Sequence, residues 1–152
     1  MQVLALLSSA LLLILLDQSS KAFVRHRVAS ERVLRMGVVA IRYQLNRRAF
    51  GGSVSNILPL LTLLTTELIS IAAALLFAPA LDTSVAAMAL GIAAGGASSN
   101  VIDQVRHHGV VDFIELGWWP VFNLADVAIV VGVTTALTSF ITTLGTVRLG
   151  TA

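Results

Sequence analysis

The chain has 152 residues, of which 57% are hydrophobic and only 12% charged, and its mean hydropathy is +0.90. A soluble domain carries roughly twice that share of charge, so the composition is that of a membrane protein, and spans of about 20 apolar residues leave room for four helices in one domain. The absence of cysteine excludes disulfides, thiolate nucleophiles and Cys-ligated metals, and three histidines offer little for a metal centre. A net charge of +2 is too small for general nucleic-acid binding, so the basic pI reflects where the arginines sit.

The expected architecture is an all-α membrane protein, a single integral domain over 1–152 with spans at about 3–24, 57–77, 85–102 and 126–147. Val3 to Leu16 is uncharged and runs on through Asp17, Gln18 and Lys21 to Val24. No basic region precedes it and no A-x-A-like site comes before Asp17, so it reads as a mature helix and not as a signal peptide. Ile57 to Phe77 is interrupted only by Glu67, and Ala78 to Ser84 supplies a turn with Asp82 or Thr83 as helix N-cap. In the third span Ala87, Gly91, Gly95 and Ser99 recur every four residues, a small-residue stripe that lets helix backbones approach closely and marks this as the buried helix. The fourth span stays uncharged from Val127 until Arg148.

Two polar loops share one side. The first, Arg25 to Ser55, holds seven arginines against one acid and ends in Gly51-Gly52-Ser53. Alternation at Val39, Ile41, Tyr43 and Leu45 suggests a strand near the headgroups, with a basic amphipathic helix equally open around Val28 to Met36. The second, Asn100 to Phe122, contains a strand-like run, Val110 to Ile114, and an aromatic interface anchor, Gly117-Trp118-Trp119-Pro120. Nine of the ten Lys and Arg residues lie on the loop side, which by the positive-inside rule would be cytoplasmic; the alternative is a basic surface facing anionic headgroups from outside.

Ionisable groups in or beside a span are costly and point to function. Asp17 and Lys21, four apart on one helix face, read either as a helix-end ion pair or as a substrate contact. Glu67, alone in mid-span, must be protonated or face a polar interior; with Asp17 it would make a proton path in a small transporter. Asn100 and Asp103 share a face at the end of the third span, where capping and loop bonding compete with a site role.

Asp112 closes a strand-like run and Asp126 opens the fourth span, so a reversal of fourteen residues can bring two carboxylates together at the membrane boundary. Two acids in one site do not both ionise cheaply: one keeps a proton and acts as acid while the other draws a proton from attacking water. Neither metal nor nucleophilic side chain is needed. Against this, Asn123-Leu124-Ala125-Asp126 has the pattern of a capping box, Asn at N-cap and acid at N3. A metal site from Asp103, His107, His108 and Asp112 has no recognised ligand spacing, and Gly95-Gly96 reads as packing.

Across nearly its whole length the chain resembles lipoprotein signal peptidase, the type II signal peptidase of bacteria. The blocks that carry the resemblance are Asp17-Gln18-Ser19-Ser20-Lys21, Gly95 to Asp103, Gly109-Val110-Val111-Asp112-Phe113-Ile114 and Pro120-Val121-Phe122-Asn123-Leu124-Ala125-Asp126. The resemblance implies an intramembrane aspartyl endopeptidase of the bacterial cytoplasmic membrane. It would have four transmembrane helices, an extracytoplasmic β-like cradle after the first and a short loop between the third and fourth. It would remove the signal peptide of a prolipoprotein before the diacylglyceryl-modified cysteine. Diacylglyceryl-prolipoproteins and membrane lipids are then the partners, with no cofactor, metal or nucleic acid.

By the same resemblance Asp112 and Asp126 form the catalytic dyad. Asp17, Lys21, Asn46, Asn100, Asp103 and Asn123 match polar positions that support the site or the substrate. Gln104 stands where the family has an arginine after the aspartate, with Arg106 two residues on. Arg48 replaces a loop glycine, and Phe50 comes one position early for the loop aromatic. These departures admit a non-catalytic member that binds lipoproteins or lipids. The family also places both polar loops outside the cytoplasm, opposite to the charge count, and the motifs outweigh that statistical tendency.

Overall fold

The computed structural model describes residues 1–28, 33–47 and 84–149. The expected span at 57–77 with Glu67, the N-cap candidates Asp82 and Thr83, and the departures Arg48 and Phe50 lie outside the described residues. Six elements follow in chain order: α1 (Gln2–Arg27), β1 (Leu34–Met36), β2 (Val39–Asn46), α2 (Ser84–His107), β3 (Val110–Glu115) and α3 (Leu124–Leu149).

Among the described residues three helices are long and apolar enough to cross a membrane. At 1.5 Å per residue the 26 residues of α1 reach about 39 Å, more than a hydrocarbon core of about 30 Å. Leu4, Leu7, Leu11, Leu12 and Leu15 point outward from α1, and Val130, Val131, Val133, Leu137 and Ile141 from α3. Such a surface suits lipid and not water. Threonine hydroxyls on α3 bond back within the helix, Thr134 to the Val130 carbonyl at 2.7 Å and Thr138 to that of Thr134 at 2.8 Å, so these two donors are satisfied without water.

The middle helix, α2, packs on both others, which scarcely touch each other. Its small residues explain this. A Cβ at Gly95 would stand 2.5 Å from the Ala10 carbonyl oxygen of α1, and one at Gly96 2.6 Å from the Ala125 carbonyl oxygen of α3. Adjacent glycines thus serve two different helix contacts, and Ser9 of α1 donates to the Met88 carbonyl at 3.1 Å beside the first.

The strands form one antiparallel sheet in the order β1-β2-β3. Gly37, at φ 65, opens the two-residue hairpin turn between β1 and β2, where a left-handed residue is required. The alternating 39–45 segment is the strand expected. The helix weighed for Val28 to Met36 does not form at its far end: α1 stops before Val28, which is extended, and Leu34–Met36 pairs with β2. The fold is therefore mostly helical with a small sheet, not purely α, and the sheet draws its third strand from the second polar loop. Phe113 packs with Val24 and Val28, flanked by Ile41, Tyr43, Ile114 and Leu124, and this cluster fixes the sheet to the end of α1. The loop after β3 is closed by Phe122, whose carbonyl accepts the N–H groups of Phe113 and Ile114.

Candidate active site

Polar side chains from every described helix meet where α1, α2 and the start of α3 come together. Asp17 and Lys21, one turn apart on α1, are 0% and 3% exposed and pair at 2.7 Å. Lys21 Nζ also reaches Asp103 Oδ2 at 3.0 Å and Asn100 Oδ1 at 2.9 Å, so three acceptors match the three protons of the ammonium group. The pair is therefore a buried junction between α1 and α2 and not a surface ion pair at a helix end. Ser99 donates to Asp17 Oδ2 at 2.7 Å, while Gln18 Nε2 donates to Ser99 Oγ at 3.0 Å and to Asp103 Oδ1 at 2.9 Å.

Each of these two acids also holds main chain. Asp17 Oδ1 accepts the N–H of Ala125 at 2.9 Å, and Asp103 Oδ2 accepts the N–H of Val111 at 3.0 Å. Those residues immediately precede Asp126 and Asp112, so Lys21 links two acids that each fix the backbone beside one member of the expected dyad.

Asp112 and Asp126 converge on Asn123. The Asn123 side-chain amide donates to Asp112 Oδ1 at 2.9 Å and to Asn100 Oδ1 at 3.1 Å, while its main-chain N–H donates to Asp126 Oδ2 at 3.1 Å. The Asp126 N–H returns a bond to Asn123 Oδ1 at 2.9 Å. The capping box expected from Asn123-Leu124-Ala125-Asp126 thus forms, and it does so beside Asp112, so the local pattern and the meeting of two acids coexist. Asn100 Nδ2 completes the shell of Asp126 at 2.9 Å, and Asn46, the last residue of β2, donates to Asp112 Oδ2 at 3.0 Å.

Asp112 lies on β3, outside the spans, and is buried. Burial foremost, then the nearby charge of Asp126, push its carboxyl from an ordinary value near 3.8 up to about 6, against the opposing pull of the Asn46 and Asn123 donors and of Lys21. A carboxyl so placed can carry a proton close to neutral pH, beside a second acid, which is what general acid–base chemistry on water requires.

Of the residues singled out from the sequence, Asp17, Lys21, Asn46, Asn100, Asp103, Asp112, Asn123 and Asp126 form one connected network. Gln104 does not join it: its Oε1 is buried and accepts no hydrogen bond among the described residues. Arg106 is exposed, and the nearest basic contact on that turn is Arg25 of α1 against His107. Among the described residues no three His, Asp or Glu side chains are grouped to hold a metal, and His107 stands 3.9 Å from Asp103. Gln18 and Ser99 are members of the network that received no role from the sequence. Gln18 stands one turn from Lys21, a spacing that could have found it, whereas Ser99 reads as part of the small-residue stripe.

A sequence model described as signal peptidase (SPase) II matches residues 9–142, from the middle of α1 to near the end of α3. The chain belongs to the signal peptidase II family. A lipoprotein signal peptidase of Syntrophomonas wolfei is 37% identical over 129 residues, covering 82% of this chain and 84% of that protein. One of Moorella thermoacetica is 37% identical over 127 residues with the same coverage. Two bacterial membrane enzyme structures solved by the in meso method, at 2.3 Å and 1.9 Å resolution, superpose with a TM-score of 0.71. They share 21% and 22% identity and cover 90% and 88% of this chain, and 87% and 90% of their own, so they establish the fold of the signal peptidase II member described here. The family match spans every residue of the network, from Asp17 to Asp126.

Proposed function

We propose that this member of the signal peptidase II family is an aspartic endopeptidase that removes the signal peptide from diacylglyceryl-modified prolipoproteins, with Asp112 and Asp126 as its catalytic pair. The observation that carries the reading is the joint hold of Asn123 on both carboxylates, one of which is raised to about 6. Water between the two gives a proton to Asp126 as its oxygen attacks the scissile carbonyl, and Asp112 gives its own proton to the carbonyl oxygen. Collapse of the resulting diol breaks the C–N bond. Asp126 passes its proton to the departing nitrogen and Asp112 recovers one from a diol hydroxyl, which restores both acids.

Asp17, Lys21 and Asp103 act in this reading by positioning the backbone next to the pair, since all three are buried, Lys21 pairs with both acids, and the acids accept the N–H groups of Ala125 and Val111. Asn46, Asn100 and Asn123 orient the carboxylates. The site faces the extracytoplasmic side of the bacterial cytoplasmic membrane, where lipidated precursors are exposed.

A second reading, a lipoprotein- or lipid-binding member that does not turn over, is favoured by Gln104, whose Oε1 has no hydrogen-bond partner among the described residues, where the resemblance calls for an arginine. Purified protein incubated with a diacylglyceryl prolipoprotein, followed by mass measurement, decides between them. Cleavage before the lipidated cysteine, absent with an unlipidated precursor, supports the peptidase. Binding without cleavage, and cleavage only after Gln104→Arg, supports the binder.

A further inference from the structure

The ladder between β2 and β3 is broken by one extra residue. Ala40 faces Glu115 and Ile41 faces Ile114, but the next paired residues are Gln44 and Asp112, so Arg42 and Tyr43 together stand opposite Phe113. A bulge of this kind re-aims the side chains that follow it. Carried on without it, the ladder would set Tyr43 opposite Asp112 and turn Asn46 to the other face. With it, Gln44 lies directly opposite Asp112, Asn46 shares that face and reaches Asp112 Oδ2 at 3.0 Å, and Tyr43 packs with the Phe113 cluster.

Side chains directly opposite in an antiparallel pair stand about 4.5–5.5 Å apart at Cβ, so the half-buried Gln44 is a neighbour of the candidate pair. Its amide is held at one end. Arg42 Nη2 donates to Gln44 Oε1 at 2.7 Å, and Arg42 Nε faces Glu115 Oε2 at 3.2 Å. A guanidinium group only donates, which fixes the Gln44 oxygen towards Arg42 and sends the NH2 group the other way. Among the described residues that group has no acceptor: Asp112 takes its side-chain hydrogen bonds from Asn46 and Asn123 instead. A neutral donor beside Asp112, Asp126 and Glu115 suits a neutral acceptor, because an anion in that place would meet carboxyl groups. The neutral acceptor that a protein substrate brings at regular spacing is the main-chain carbonyl, one for about every 3.3 Å of extended chain.

We propose that Gln44 is a substrate-binding residue whose Nε2 donates to a main-chain carbonyl of an extended peptide, within about two residues of the bond placed between Asp112 and Asp126. The inference rests on the peptidase reading for the nature of the peptide and adds the donor that sets its register. The bulge and the chain from Glu115 through Arg42 to Gln44 present that donor already oriented, so little freedom is lost in ordering it when the peptide arrives.

The probe is a synthetic diacylglyceryl-cysteine peptide carrying precursor residues on both sides of the cleavage point. Its Kd is measured on the full chain with Asp126→Asn as the parent background, so that binding is read without turnover. Gln44→Met, which keeps the length of the side chain and loses the donor, is expected to raise Kd roughly 3- to 10-fold, the loss of one neutral hydrogen bond. Peptides with a single thioamide, a weaker acceptor, at each residue in turn locate the partner. At one position the thioamide should raise Kd while Gln44 is present and have no further effect in Gln44→Met. A residue acting only through the fold would shift Kd equally for every peptide. A parent that does not bind the probe, or equal Kd for Gln44→Met and the parent, would overturn the proposal; so would thioamide effects that add in full to that of Gln44→Met at every position. The peptidase reading fails separately, if the chain with Asp126 intact binds this peptide and leaves it uncut.

Discussion

Asp17 accepts the main-chain N–H of Ala125 at 2.9 Å, so an acid in α1 fixes the backbone immediately before Asp126 in α3. Asp103 does the same one residue before Asp112, and Lys21 lies between the two acids. The spacing of the candidate pair is thus set from three helices and a strand through one buried ammonium group.

Asp17→Ala is expected to lower kcat by about 100-fold with KM nearly unchanged, because misplacing a catalytic group by about an ångström has that effect. Leaving Lys21 with one acid fewer should also cost about 3–5 kcal/mol of stability. Asp17→Asn keeps an acceptor for Ala125 but loses the charge opposite Lys21, and should fall between. Steady-state kinetics on a lipidated precursor, alongside thermal unfolding, check this; a rise in KM alone would mean direct substrate contact.

The pH dependence follows from Asp112. In the proposed mechanism it donates a proton and so must be protonated, and kcat/KM should then fall as pH rises through about 6. Its contribution to stability has the same sign. The folded state holds the proton more tightly than the unfolded chain, whose carboxyl titrates near 3.8, so the contribution is full below that value and is lost as pH rises through about 6. A pH–rate profile and unfolding curves across that window test both.

Asn46 donates to Asp112 and so favours its ionised form. Asn46→Ala should move the falling limb of the pH–rate profile to higher pH, by roughly one unit for the loss of one hydrogen bond to a charged group. A limb that stays in place would separate Asn46 from the titration of Asp112.

Much of this arrangement is legible in the sequence where it is local. The uncharged runs gave α1, α2 and α3, the alternation from Val39 to Leu45 gave β2, and Asn123 with Asp126 gave a capping box that the structure forms. Spacing also put Asp17 with Lys21, and Asn100 with Asp103, on common helix faces. What spacing does not carry is which remote segments meet. The joining of β3 to β2, the bond from Asp17 to Ala125 and the pairing of Lys21 with Asp103 are tertiary contacts across 60 residues or more of chain. Ser99 shows the limit at one residue: in a stripe of small residues it reads as packing, and only the approach of α1 reveals its hydroxyl as a donor to Asp17.

The most direct measurement of the central claim uses Asp112→Asn and Asp126→Asn in the full chain, each reconstituted in lipid with a diacylglyceryl prolipoprotein and assayed by product mass. The account predicts intact, inserted protein and uncut precursor in both variants, under conditions in which the wild type yields the chain beginning at the lipidated cysteine. Cleavage at the wild-type rate by either variant would contradict it.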